Sequence, residues 1–229
     1  MAQTDACNTF EVGKTVTKEI VLLKGPEDVG RLPPPAFVPL SFSEEYVKQP
    51  HLTGAPGYPF DTHYVFEMNF DTGAPVPQGD LDYVSRQSEN RDVQIEISTT
   101  WLPLMEHAMP KIGLPTSDEV PPTNFDVVGS HYGMTEISYL AALQAANAGA
   151  YYIQKSQATR IFVGSDTEQP SVLICPRTQG AVIVPYCEWM IKLDDDIFIT
   201  ARFRGKHIDD LANISERTLD FVKCIRGDF

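Results

Sequence analysis

The residues of this chain that could do chemistry beyond folding are four cysteines, five histidines and a few clusters of carboxylates. Asp71-Thr72-Gly73-Ala74, preceded by Phe70, has the form of a loop that presents a catalytic carboxylate. In that chemistry two aspartates share one proton and activate water. Only one copy is present, so a homodimer would have to supply the second. A turn that ends a strand accounts for the same residues without catalysis. His51, His63, His107, His131 and His207 are scattered, and none lies four residues from another, so no helix carries a pair of metal ligands. Asp194-Asp195-Asp196 has the oxygen donors for a hard cation, but the calcium-loop pattern is absent and a solvated hairpin tip explains it equally. Arg226-Gly227-Asp228 is the tripeptide that integrins read, with nothing else of an adhesion protein around it. Asn213-Ile214-Ser215 fits a glycosylation site but falls inside a helical pattern. No GxSxG, HExxH, phosphate-binding GxxxxGK[ST] or GxGxxG occurs. The expectation is a chain with no catalytic residue, no metal and no cofactor.

The cysteines, Cys7, Cys175, Cys187 and Cys224, allow three pairings. No CxxC is present, which argues against a zinc ribbon or a redox motif. Cys175 and Cys187 flank two apolar runs with turn residues between them. A bridge there would staple a hairpin and leave Cys7 and Cys224 to join the termini. Such bridges need an oxidising compartment. The alternative is four free thiols in a cytosolic protein. Met1 to Phe10 has neither a basic region nor an apolar run, so no signal peptide is visible. One that was removed and replaced by an initiator methionine fits the short polar start. The expected location is the periplasm or another exported site, with the cytoplasm as the alternative. No stretch has the ~20 apolar residues of a membrane helix.

The formal net charge is −13, which argues against nucleic acid, whose phosphates need Lys and Arg. Residues 51–150 hold 13 acidic residues against 3 basic ones. That imbalance would steer a basic partner towards the centre of the chain, or serve solubility alone. Tyr58, Phe60, Tyr64, Tyr83 and Tyr132 flank these acidic, proline-rich stretches. Tyrosine in such loops suits a contact surface, and also suits anchoring the loops to a core.

The elements around these residues can be read from periodicity. Residues 10–24 are β-branched and partly alternating, which predicts a strand or hairpin. Residues 25–62 hold eight prolines and predict a long ordered connection. His63 to Phe70 and Val93 to Thr100 alternate as strands. Asp80 caps a short predicted helix ending at Gln87. Residues 101–126 are again proline-rich. Thr135 to Ile153, with an Ala-rich run from Leu140 to Ala150, predicts a helix. Four short strands follow, Thr159–Val163, Val172–Cys175, Val182–Tyr186 continuing to Ile191, and Ile197–Phe203. The chain closes with a helix from Ile208 to Ile225, whose stripe is Leu211, Ile214, Thr218, Phe221, Val222 and Ile225. This is an α+β plan, a largely antiparallel sheet with two covering helices. The expected division is a strand- and loop-rich subdomain over 1–130 and a helix–four-strand–helix subdomain over 131–229.

Ile174-Cys175-Pro176-Arg177, then Val184-Pro185-Tyr186-Cys187-Glu188, then Ile197 to Phe203 and the closing helix resemble the C-terminal part of the periplasmic immunity proteins of bacterial type VI secretion. That pattern has a paired-cysteine hairpin, a strand rich in Phe and Arg, and a last helix with Leu and Ile at helical spacing. Phe203-Arg204 and Leu211 with Ile214 occupy those places. The resemblance covers residues 174–229, and it departs at Ala212-Asn213, where a tryptophan is expected. It implies a small protein that binds and blocks one toxin, such as a phospholipase or a cell-wall enzyme.

The reading that joins these strands is a monomeric or dimeric inhibitor of a protein effector, with loops within 51–131 occluding a cleft that has a basic active-site rim. Asp80, Asp82, Tyr83, Glu89 and Asp92 are the expected contacts, chosen for charge and exposure. The alternatives are an assembly protein of a virion or secretion apparatus, and an aspartic-type hydrolase acting through Asp71.

Overall fold

In the computed structural model, the residues described are 7–28, 34, 36–48, 61–76, 91–100, 102–111, 121–164, 169–177, 186–194 and 197–227. Two strands, β1 (Thr15–Val21) and β2 (Phe37–Ser43), pair antiparallel as a small sheet. Eight more form the main sheet: β3 (His63–Asn69), β4 (Asp92–Ser98), β5 (Asp126–His131), β6 (Met134–Ser138), β7 (Thr159–Gly164), β8 (Ser171–Pro176), β9 (Tyr186–Lys192) and β10 (Phe198–Arg204). Their spatial order is β3-β4-β10-β9-β8-β7-β6-β5, with every neighbouring pair antiparallel. After β4 the chain crosses to the far edge and meanders back until β10 closes against β4. The helices are α1 (Leu104–Lys111), α2 (Leu140–Ala145), α3 (Ala150–Ala158) and α4 (Leu211–Arg226). The fold class is α+β.

The side-chain period of two divides the sheet into two apolar layers. Val93, Ile95 and Ile97 of β4, Ile199, Ala201 and Phe203 of β10, and Trp189 and Ile191 of β9 face one way. The stripe Leu211, Ile214, Phe221, Val222 and Ile225 of α4 covers them, together with Ile20, Leu40 and Phe42 of the small sheet. Phe221 is the centre of this layer. Its ring meets those of Phe10, Tyr46 and Phe66 at centroid distances of 5.4, 5.1 and 5.3 Å. The alternate residues Ile137, Ile161, Val172, Ile174, Met190 and Phe198 point to the opposite face, where Leu104, Ala108 and Met109 of α1 and Leu143 of α2 cover them. The second layer stops short of the ends of β3, β4 and β10. There the outward residues Glu67, Asp92, Gln94, Arg202 and Arg204 are polar and half-buried or buried.

Three expectations need correction. Residues 135–153 do not form one helix. Met134 to Ser138 is a strand, and only α2 and α3 follow, separated by Asn147 at φ 51°. Pairing on β5 and on β7 outweighs the helix propensity of the alanines that follow. Residues 25–62 are not all connection. β2 lies within them, and its Pro39 is tolerated because the strand has one neighbour, β1, among the described residues. Residues 101–126 contain α1, which starts just after Pro103, whose carbonyl accepts the His107 N–H at 3.0 Å. Tyr132-Gly133 makes the two-residue turn between β5 and β6, with φ of 57° and 73°. Both central residues of such a turn need positive φ. The helix expected at Asp80–Gln87 lies outside the described residues.

Two disulfides are present. Cys7–Cys224 joins the N-terminal segment to α4, beside the contact of Phe10 with Phe221. Cys175–Cys187 joins directly opposed positions of β8 and β9, with a Cα–Cα distance of 4.4 Å. No helix among the described residues is long and apolar enough to cross a membrane.

Candidate functional site

The polar end of the sheet holds a shallow cleft of about 450 Å³. Its walls are Glu67 of β3, Asp92 and Gln94 of β4, Arg202 and Arg204 of β10, Tyr186 and Glu188 of β9, and Lys48. Strand register explains the convergence. Arg202 stands opposite Gln94 on one side and Glu188 on the other, and Arg204 stands opposite Tyr186. Lys48 arrives because its N–H donates to the Val65 carbonyl (3.1 Å), which lays the segment after β2 along the β3 edge. A second hollow of about 350 Å³, reaching Lys155, Thr159, Ile174 and Pro176, meets the first at Tyr186, Glu188 and Arg202.

Most of the charge in the cleft is matched. Lys48 Nζ donates to Glu67 Oε1 at 3.0 Å. Arg202 donates through Nε to Glu188 Oε1 (2.9 Å) and through Nη1 to Gln94 Oε1 (3.2 Å), and its Nη2 lies 2.7 Å from Glu188 Oε1. Arg204 is different. It is 5% exposed, its guanidinium lies 4.5 Å from the Tyr186 ring centroid, and its Nη2 has no hydrogen-bond partner among the described residues. The stack on tyrosine contributes about 0.5–1 kcal/mol. A buried donor left unpaired costs ~1–3 kcal/mol.

A second charged cluster sits on the opposite face, at β6–β8. Glu136 is 4% exposed and accepts a bidentate pair from Arg160, Nε to Oε1 at 3.0 Å and Nη2 to Oε2 at 2.9 Å. Arg177 Nη2 at 3.7 Å and His131 Nε2 at 3.6 Å complete the ring. The hydrogen bonds from Arg160 hold the Glu136 carboxyl below the ordinary carboxylate range, against the opposing effect of burial. The same pair pushes the Arg160 guanidinium up. This cluster satisfies itself and exposes little of the carboxylate.

Of the expected contacts, Asp92 lines the cleft; Asp80, Asp82, Tyr83 and Glu89 lie outside the described residues. Asp71 faces a guanidinium rather than a second carboxylate. Arg91 Nη2 donates to its Oδ1 at 2.8 Å, Arg91 Nε donates to Oδ2, and Arg91 also reaches Asp210 at 3.3 Å. The turn itself is built by Asn69 Oδ1, which accepts from the N–H groups of Asp71 (3.0 Å) and Thr72 (3.1 Å). Gly73 takes φ of 74°, and the Tyr46 hydroxyl donates to its carbonyl at 2.8 Å. Burial pushes that hydroxyl up to about 12. Asp194 accepts the Ile197 N–H at 2.8 Å and pairs with Arg226, so the first residues of both the triple-aspartate turn and the Arg-Gly-Asp tail are engaged with each other. Among the described residues no group of three or more His, Cys, Asp or Glu is placed to hold a metal ion.

Arg202, Arg204 and Glu188 were not among the expected contacts. Their signal was visible: Phe198-Ile199-Thr200-Ala201-Arg202-Phe203-Arg204 alternates arginine with buried apolar residues at its end. On a central strand that pattern places two guanidinium groups on one sheet face.

No protein-family model matches the chain, and no curated protein matches it in sequence. Among solved structures, the fold is similar to that of Smlt3025, described as an immunity protein of the Stenotrophomonas maltophilia type IV secretion system. The match has a TM-score of 0.54 at 11% identity and covers 93% of this chain and 97% of that one. At that identity the two chains share a fold, and the described system is type IV where the resemblance of residues 174–229 implied type VI.

Proposed function

We propose that the protein binds a secreted bacterial effector and blocks it, as an immunity protein does, and that it performs no catalysis of its own. The observation that carries this reading is the likeness to Smlt3025 along nearly the whole of both chains. The two disulfides support an exported, oxidising location. The effector's route is proposed only as a bacterial secretion system. The acidic surface, with Asp80, Asp82, Tyr83, Glu89 and Asp92 as its contacts, draws the basic rim of the effector's cleft and raises the association rate.

A pull-down on the immobilised protein from a lysate of its source, eluted with a salt gradient, tests the reading. Capture of one salt-sensitive hydrolase or pore-forming protein whose activity falls on binding supports it. Capture of structural proteins or of the chain itself removes it. Replacing Asp80 and Asp82 by Lys should then slow association and flatten its salt dependence; unchanged kinetics would move the contact elsewhere.

An assembly role is the second reading, and one observation favours it. β5 forms the far edge of the sheet, and its Val127 and Val128 are 68% and 56% exposed around a bulge. Exposed edges of this kind accept another strand. Light scattering separates the readings: a large homo-oligomer favours assembly, and a monomer or dimer favours inhibition.

A further inference from the structure

We infer that the cleft beside Arg204 receives the side-chain carboxylate of an aspartate or glutamate on a protein partner. The inference deepens the inhibitor reading and depends on it for the occupant being a protein. Arg202 and Arg204 project from the same strand face two residues apart, and the fold treats them unequally. Arg202 has acceptors at Nε, Nη1 and Nη2. Arg204 is more deeply buried, has its ring-stacked face against Tyr186, and leaves Nη2 without an acceptor among the described residues. A planar guanidinium held by an aromatic ring is preorganised for a carboxylate, which accepts along the edge that stacking leaves free.

The neighbours select the charge of the occupant. Glu67 and Glu188 pair with Lys48 and Arg202, and Asp92 lines the same cleft. With three carboxylates in its walls, the cleft repels a monoanion less than it repels a phosphate dianion. The cleft runs into the second hollow at Tyr186, Glu188 and Arg202, so the sheet offers contact surface around an inserted side chain.

The test uses the full oxidised chain and follows the arginine Nε–Hε signals by NMR. The probes are N-acetyl-glutamate amide, N-acetyl-alanine and inorganic phosphate, each at matched ionic strength. The expected result is a saturable shift of the Arg204 signal with N-acetyl-glutamate amide at millimolar concentration, absent in Arg204→Met. No saturable shift, the same shift with chloride alone, or a response to phosphate or N-acetyl-alanine in preference would overturn the inference. The effector pull-down separates the two readings. An effector captured equally well by Arg204→Met leaves inhibition standing and removes the cleft. A saturable probe site with no effector captured leaves the carboxylate site and removes its protein occupant.

Discussion

Glu136 and Arg204 are both charged, both almost wholly withdrawn from water, and both carried by strands of the same sheet, on opposite faces. Glu136 is surrounded by more partners than it needs: Arg160, Arg177 and His131. Arg204 has a tyrosine ring and an unpaired nitrogen. A buried ion that the fold completes behaves as part of the core, because removing its partner strands a charge. A buried ion that the fold leaves incomplete burdens the isolated chain, and the burden is relieved when another molecule supplies the acceptor. The difference separates a charge kept for the fold from one kept for an encounter, and substitutions at each should move different quantities.

The largest effect should come from the strap between the two regions. Cys175 stands opposite Arg160 on β7, and Cys187 is flanked by Tyr186 and Glu188. Replacing both cysteines by alanine removes a bridge with a sequence separation of 12. A loop of that order is worth about 3 kcal/mol in the chain-entropy account. Thermal unfolding under oxidising conditions would measure it, and an unchanged midpoint would mean that the ladder of β8 and β9 alone fixes both sites.

Next in size is Glu136→Gln. Losing charge-assisted hydrogen bonds costs ~1.5–3 kcal/mol, and the expected value lies near the middle because Arg160 and Arg177 can turn towards water. Arg204→Met should fall within about 1 kcal/mol of the parent, in either direction, since burying an apolar side chain offsets the loss of the stack. Urea denaturation of the two variants side by side tests the comparison. A loss at Arg204 as large as that at Glu136 would mean Arg204 is completed inside the fold, and the contrast would collapse.

Much of this architecture is legible in the residues. Strands β3 and β4 alternate because one face of each packs on a layer, β7, β8 and β10 read as short apolar runs because layers cover both of their faces, and the α4 stripe repeats at helical spacing because one side of it is buried. Where the reading failed, two forces competed locally. Pro39 and Pro103 concealed β2 and α1, because proline is excluded from central strands and helix interiors but not from an outer strand or a helix start. The alanines after Leu140 drew the helix back over Thr135–Ser138, which pairing with β5 on one side and β7 on the other fixes as extended. The state of Arg204 was not legible at all. Whether a guanidinium finds an acceptor depends on β4 and β9, which lie about a hundred residues upstream and a short hairpin away. Composition records how many charges exist and not which of them meet.

The smallest effect is the pH dependence, and it falls on one site only. The Glu136 carboxyl titrates below its ordinary value because the charged form is held by Arg160. Its unfolded counterpart binds a proton first as pH falls, so the stability it contributes is complete above the ordinary carboxylate range. That contribution is lost as pH drops through the lowered folded value. Stability should therefore fall on acidification below about pH 4.3, the ordinary glutamate value, and Glu136→Gln should show a shallower fall over that window. Unfolding midpoints of parent, Glu136→Gln and Arg204→Met between pH 3 and pH 7 would check the sign. Parallel curves for parent and Arg204→Met, with Glu136→Gln converging on them at the acid end, are expected. A Glu136→Gln curve that stays parallel to the parent throughout would show that the cluster owes its strength to geometry rather than to charge.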